Sequence, residues 1–81
     1  MNVKVKFFAG YKEAIGIDEV DISLKEGADV SFLLDVIKEK HPKLGELTET
    51  LVISVNWEYA TYDTKLKDGD EVALLPPVSG G

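Results

Sequence analysis

The hydrophobic pattern changes period twice within 81 residues, and that change limits the chain to a small set of folds. In NVKVKFF, Val3, Val5 and Phe7 alternate with Lys4 and Lys6, as in a strand with one buried face. DEVDISL repeats the pattern, with Val20, Ile22 and Leu24 on one side and Glu19, Asp21 and Ser23 on the other. From Asp29 the spacing lengthens to that of a helix: Val30, Leu33, Leu34 and Ile37 fall at i, i+3, i+4 and i+7. Asp29 can cap the first turn through its carboxylate. Lys38, Lys40 and His41 complement the dipole at the far end, where Pro42 cannot continue the helix. Alternation returns in LVISVN, with Ile53 and Val55 inward. It appears again after an Asp68-Gly69 turn, where Val72 and Leu74 face the core and Ala73 and Leu75 the opposite side. Between the first two strands, AGYKEAIG holds one helical turn ending at Gly16.

Strand, strand, helix, strand, strand in this length predicts an α+β domain over residues 1–75, a mixed sheet with one main helix across its face. A hairpin followed by a right-handed helical crossover favours a last strand parallel to the first in the sheet centre. That is the ubiquitin-like β-grasp layout. Residues 76–81 are left over as an extended, flexible Gly-Gly tail. No linker or internal repeat is present.

Composition removes whole classes of function. The chain has no cysteine, which excludes disulfides, thiolate metal sites and a cysteine nucleophile, and suits the reducing cytoplasm where we expect the protein to reside. Apolar runs fall well short of a bilayer-spanning segment, so no membrane is expected. A formal charge of −6 repels phosphate backbones and points away from nucleic acid, toward partners with basic surfaces. His41 stands alone, with no second histidine, and reads as a helix-end residue. Asp68-Gly69-Asp70 reads as a turn rather than a metal loop. No metal site is therefore expected.

The tail is where chemistry remains possible. Without cysteine, the available sulfur acceptor is the Gly81 carboxylate, unreactive until ATP converts it to an acyl adenylate. Gly80 and Gly81 lack a Cβ, so they pass a channel too narrow for side chains and adopt whatever dihedrals a partner site demands. Six residues beyond Leu75 span at most about 20 Å. Pro77 fixes its own φ and pushes Pro76 into an extended conformation, which aims the tail away from the sheet and lowers the cost of ordering it.

The ending DGDEVALLPPVSGG, the opening FFAGYKEAIG and the helix end KEKHP together resemble the small, sulfur-carrier subunit of molybdopterin synthase, a ubiquitin-like family, over nearly the whole chain. The resemblance implies that a partner adenylates Gly81 using ATP and that sulfur then replaces one oxygen to give a thiocarboxylate. The sulfur is delivered to a pterin precursor in the large subunit, forming the dithiolene of molybdopterin during molybdenum cofactor biosynthesis. It implies two partners, an adenylating enzyme and the large subunit, the latter in a heterotetramer, and no cofactor held by this chain itself. Catalytic groups belong to the partners, while Pro76, Pro77, Val78, Ser79 and Gly80 carry Gly81 into their sites. Each dithiolene takes two sulfurs, so the carrier must dock, donate, leave and be recharged.

Two further features stay open on the sequence. Phe8 points opposite to Phe7, and with Trp57, Tyr59, Ala73 and Leu75 it forms an apolar docking patch beside the tail root; alternatively, Trp57 and Tyr59 lid the core edge. Relatives in the resembled family often carry Asn-Gly where this chain has Asn56-Trp57, and tryptophan resists positive φ, which leaves the turn undetermined. The same activated Gly81 would also serve a ubiquitin-like modifier joined to lysines, or a sulfur carrier for thiamine or transfer RNA.

Overall fold

Strict alternation opens the fold: in β1 (Asn2–Phe7) Val3, Val5 and Phe7 are buried, while Asn2 and Lys4 are exposed. The computed structural model describes residues 1–8, 10–43 and 52–75. Beyond β1 these contain α1 (Gly10–Ile15), β2 (Glu19–Ser23), α2 (Val30–Lys40), β3 (Val52–Val55), β4 (Glu58–Ala60) and β5 (Glu71–Leu75). The strands form one sheet in the order β2-β1-β5-β3-β4. β1 and β2 are antiparallel, β1 and β5 parallel, and β5 and β3 antiparallel, so the last strand lies at the centre, parallel to the first. This is the expected β-grasp arrangement.

Register explains the core. Phe7, Leu74, Ile53 and Ala60 lie opposite one another across β1, β5, β3 and β4, and Val5, Val72 and Val55 form the neighbouring row. These rows face α2, whose Val30, Leu33, Leu34 and Ile37 are all buried. Removing each such side chain from water contributes about 1.5–3 kcal/mol. Leu24, Ala28 and Leu66 close one end of this layer. Tyr11 on α1 closes another and is 3% exposed, a burial that the sequence pattern does not announce. That burial, with repulsion from Tyr62, raises the pKa of its phenol, which stays neutral at physiological pH.

The helix begins where it does because all four of its first amides find acceptors. Val30 and Ser31 donate to the carbonyls of Thr64 and Tyr62, at 3.0 and 2.8 Å; Phe32 donates to Asp29 Oδ1 at 2.9 Å, and Leu33 to the Asp29 carbonyl at 3.1 Å. The loop bearing Tyr62 and Thr64 thus serves as part of the cap. Within it the Thr61 hydroxyl donates to the Asp63 carboxylate, which holds that carboxyl below its ordinary pKa. At the other end the His41 amide donates to the Ile37 carbonyl, after Lys38 and Lys40 in the last turn.

Asp68-Gly69 is a turn, with Gly69 at φ +87° and Asp70 N–H donating to the Lys67 carbonyl. Its carboxylates are structural: Asp68 accepts from the Asn2 amide at 2.7 Å, and Asp70 accepts from the Lys67 amide at 2.8 Å and the Asn56 side-chain amide at 2.9 Å.

The structure corrects the strand count. Glu58–Ala60 is a strand, β4, paired with β3 through Ile53–Ala60, Ser54–Tyr59 and Val55–Glu58. Asn56 and Trp57 are therefore the two central residues of a tight hairpin, with φ +52° and +70°. Both being positive identifies the primed turn that matches strand twist.

Candidate functional site

The sheet face turned away from α2 is built from the residues that alternate with the core. One row crosses all five strands: Glu19, Lys6, Ala73, Ser54 and Tyr59 are consecutive cross-strand neighbours. Its central members are small, and Ala73 and Ser54 are 5% and 9% exposed. Larger side chains stand around them. Phe8, Trp57, Tyr59 and Leu75, with Ser54 and Ala73 as floor, line a groove of about 310 Å³. Trp57 and Tyr59 are 71% and 90% exposed, so they rise above the surface and do not lid the core.

The five residues singled out as a patch, Phe8, Trp57, Tyr59, Ala73 and Leu75, are thus brought together around one depression. Ala73 faces it but lies buried on its floor, because Lys6 and Ser54 flank it on the neighbouring strands; its contribution is shape rather than accessible surface. Leu75, half-buried, pairs with Val52 and is the residue directly before the tail. Pro76, Pro77, Val78, Ser79, Gly80 and Gly81 lie outside the described residues.

Sequence reasoning missed Ser54 and the charged support of Trp57. Ser54 was within reach, since Ile53 and Val55 facing inward force it outward. The support needs strand order. Lys6 on β1 reaches diagonally to Glu71 on β5, with Nζ 2.7 Å from Oε1, and the same ammonium sits 5.6 Å from the centre of the Trp57 ring. The hydrogen bond to Glu71 raises the lysine pKa, helped by attraction from Glu71 and Glu19 and partly opposed by desolvation. A raised folded-state pKa means that the pair contributes fully below the unfolded lysine value. The lysine's side of it is lost as pH climbs through the raised one, well above neutrality.

Trp57 is held in an unusual backbone state. A bulky residue at positive φ costs on the order of 1–2 kcal/mol, and no burial of its ring within the chain offsets that. Asn56 enforces the turn: its amide donates to the Glu71 carbonyl at 2.8 Å, its side-chain oxygen accepts from the Glu71 amide at 3.0 Å, and its side-chain nitrogen donates to Asp70. Asn56→Ala removes the two side-chain bonds and a residue tolerant of this conformation. Chemical denaturation is expected to show a loss of about 1–2 kcal/mol.

Among the described residues no cluster of three His, Cys, Asp or Glu side chains is placed to hold a metal ion, and no helix is long and apolar enough to cross a membrane. What the domain presents is a shaped apolar surface next to the root of a glycine-ended segment.

Comparison with known proteins decides the family. Residues 5–81 match the model of the ThiS family. The chain belongs to that family. A molybdopterin synthase sulfur carrier subunit of Chlamydomonas reinhardtii is 43% identical over 83 residues, covering all of both chains. Among solved structures, a putative molybdopterin converting factor subunit 1 from Pyrococcus furiosus superposes with a TM-score of 0.88 at 41% identity, over 96% of this chain and 99% of that one. SAMP1 of Haloferax volcanii, a small archaeal modifier protein, gives 0.87 at 34% identity over the whole of both chains. A complex of subunits 1 and 2 of the molybdopterin-converting factor from Helicobacter pylori contains a chain matching at 0.74 and 34% identity, again over the whole of both. The ubiquitin-like β-grasp fold of this ThiS-family chain is shared with these structures, and one of them is seated on a second subunit.

Proposed function

We propose that this chain is the sulfur-carrier small subunit of a molybdopterin synthase. The observation that carries the reading is the end-to-end match, at 43% identity, to a relative bearing that name. The family match runs through residue 81, which includes the glycine pair.

In this reading an activating partner binds ATP, and the Gly81 carboxylate attacks the α-phosphate, releasing pyrophosphate and leaving an acyl adenylate. A sulfur donor then displaces AMP, and the terminus becomes a thiocarboxylate. In the large subunit that sulfur bonds to the pterin precursor, water cleaves the acyl–sulfur bond, and the carrier returns with its carboxylate for another cycle. The described residues of this chain supply binding. The groove between Phe8, Trp57, Tyr59 and Leu75 docks the partner, and residues 76–80 deliver Gly81 at most about 20 Å from the sheet. A contact limited to one sheet face suits repeated docking and release, because interfaces of modest area support transient association.

Intact-mass spectrometry of the protein purified under gentle reducing conditions tests this. A mass increase of one oxygen-to-sulfur exchange, located at Gly81, is the expected result. The likeness to SAMP1 favours a second reading, a protein modifier whose activated Gly81 is attacked by a lysine amine. Isopeptide adducts on target lysines, with no thiocarboxylate, would establish that reading in place of the first.

A further inference from the structure

We propose that Trp57 is a specificity-determining residue: a strained, exposed anchor that selects the large subunit by an apolar side chain inserted between Trp57 and Leu75, with basic residues at the rim of the contact. The inference rests on the docking role proposed above and adds the contact that distinguishes this chain's partner from others.

Three independent observations converge on Trp57. Its backbone adopts φ +70° at the second central position of a primed turn, where glycine is the unstrained choice. Its side chain is 71% exposed, so packing inside the domain does not explain why so large a residue occupies the position. It is nonetheless fixed in place. The Asn56 bonds to Asp70 and Glu71 set the turn, and the Lys6 ammonium, tied to Glu71, lies against the ring. Strain that surrounding structure enforces, on an exposed aromatic, is the pattern of a group organised in advance for a contact outside the chain.

The position of the ring indicates what it meets. Trp57 lines both the apolar groove that includes Leu75 and an adjoining groove with Lys6, Lys12, Asp18 and Glu19, standing as the ridge between them. The first has five carbon-rich side chains and one serine, which fits an apolar side chain. The second balances two lysines against two carboxylates, so the preference for positive charge on the incoming surface comes from exposed Glu58, next to Trp57 in the chain, and from the overall charge of −6. A second copy of this chain carries the same negative charge and is disfavoured. Any protein that receives Gly81 must lie within the reach of the tail, and Leu75, where that tail begins, is the opposite wall of the groove.

The test titrates the full chain into the large subunit encoded in the same genome, with thermal melting of the same samples. Trp57→Gly relieves the backbone and removes the ring: the dissociation constant is expected to rise at least about tenfold, as for a central aromatic anchor, while the melting temperature stays level or rises. Trp57→Phe, which keeps an apolar ring, recovers most of the affinity. Wild-type affinity falls as salt is added. Unchanged affinity of Trp57→Gly, or a weakening accompanied by a matching loss of melting temperature, overturns the anchor role and leaves the carrier function standing. Salt-independent binding overturns the basic rim. A wild-type chain that does not bind the large subunit at all overturns both this inference and the function on which it rests.

Discussion

A chain lacking Gly81 is expected to fold like the complete one and, if the proposed function holds, to take up no sulfur. Among the described residues the buried core runs from Val3 to Leu74, and Gly81 lies well beyond it in sequence. Denaturation should report a change within about 0.5 kcal/mol, the range of substitutions away from packed or paired groups. Charging is different, because deletion withdraws the terminal carboxylate by one residue, about 3.5 Å along an extended chain. Displacements of about 1 Å already lower reaction rates on the order of a hundredfold where the reacting atoms must be held in line. Mass spectrometry after incubation with the activating enzyme, ATP and a sulfur source should find no thiocarboxylate. Gly81→Leu should fail in the same assay, since its side chain cannot follow a path shaped for glycine. Loss of folding in either variant would contradict the separation of tail and domain, and normal charging would contradict the assignment of Gly81.

The second large effect distinguishes two neighbouring leucines. Leu74 is fully buried, opposite Phe7 on β1 and Ile53 on β3. Leu75 points to the other side of the sheet and is half-buried at the groove wall. Leu74→Glu places an unpaired carboxylate in the core. The penalty of several kcal/mol is comparable to the whole stability of a small domain, so circular dichroism should find the variant unfolded at room temperature. Leu75→Glu should melt close to the wild type and bind the large subunit at least about tenfold more weakly in a calorimetric titration. If Leu75→Glu instead binds normally and loses a large part of its melting temperature, Leu75 belongs to the core and the groove is not the docking face.

How much of this could be read from the residues follows from how locally each feature is encoded. β1, β2 and α2 carry their own periodicity, and the Asp29 cap and the Gly69 turn are local chemistry, so these were legible. β4 was not. It has three residues, Glu58, Tyr59 and Ala60, none of them buried, and its existence depends on pairing with β3 rather than on any apolar alternation of its own. Trp57 ran against propensity: a bulky side chain argues against the positive φ that the hairpin imposes, and only the Asn56 bonds to a distant turn explain why that conformation holds. The membership of the groove was legible as far as alternation reaches, for Phe8, Ala73 and Leu75. The Lys6 and Glu71 pair beneath Trp57 was hidden although the last strand was expected beside the first, because the register that sets Lys6 diagonal to Glu71 is not encoded locally in either strand. The tail was legible as chemistry: glycine and proline have backbone consequences that hold without reference to any neighbour.

The order of strands bears on how the protein is made. Among the described strands, β5 alone pairs with both the hairpin of β1 and β2 and that of β3 and β4, and the Lys4 that faces its Glu71 is encoded far upstream. During translation neither hairpin can be joined into a finished sheet until Glu71–Leu75 has emerged, since contacts between distant segments form last and at the greatest entropic expense. A chain ending before that point keeps only the packing of the two hairpins on α2 and lacks the strand that pairs with both. Completion of the sheet is thereby coupled to synthesis of the last described strand, a consequence inherent in the topology.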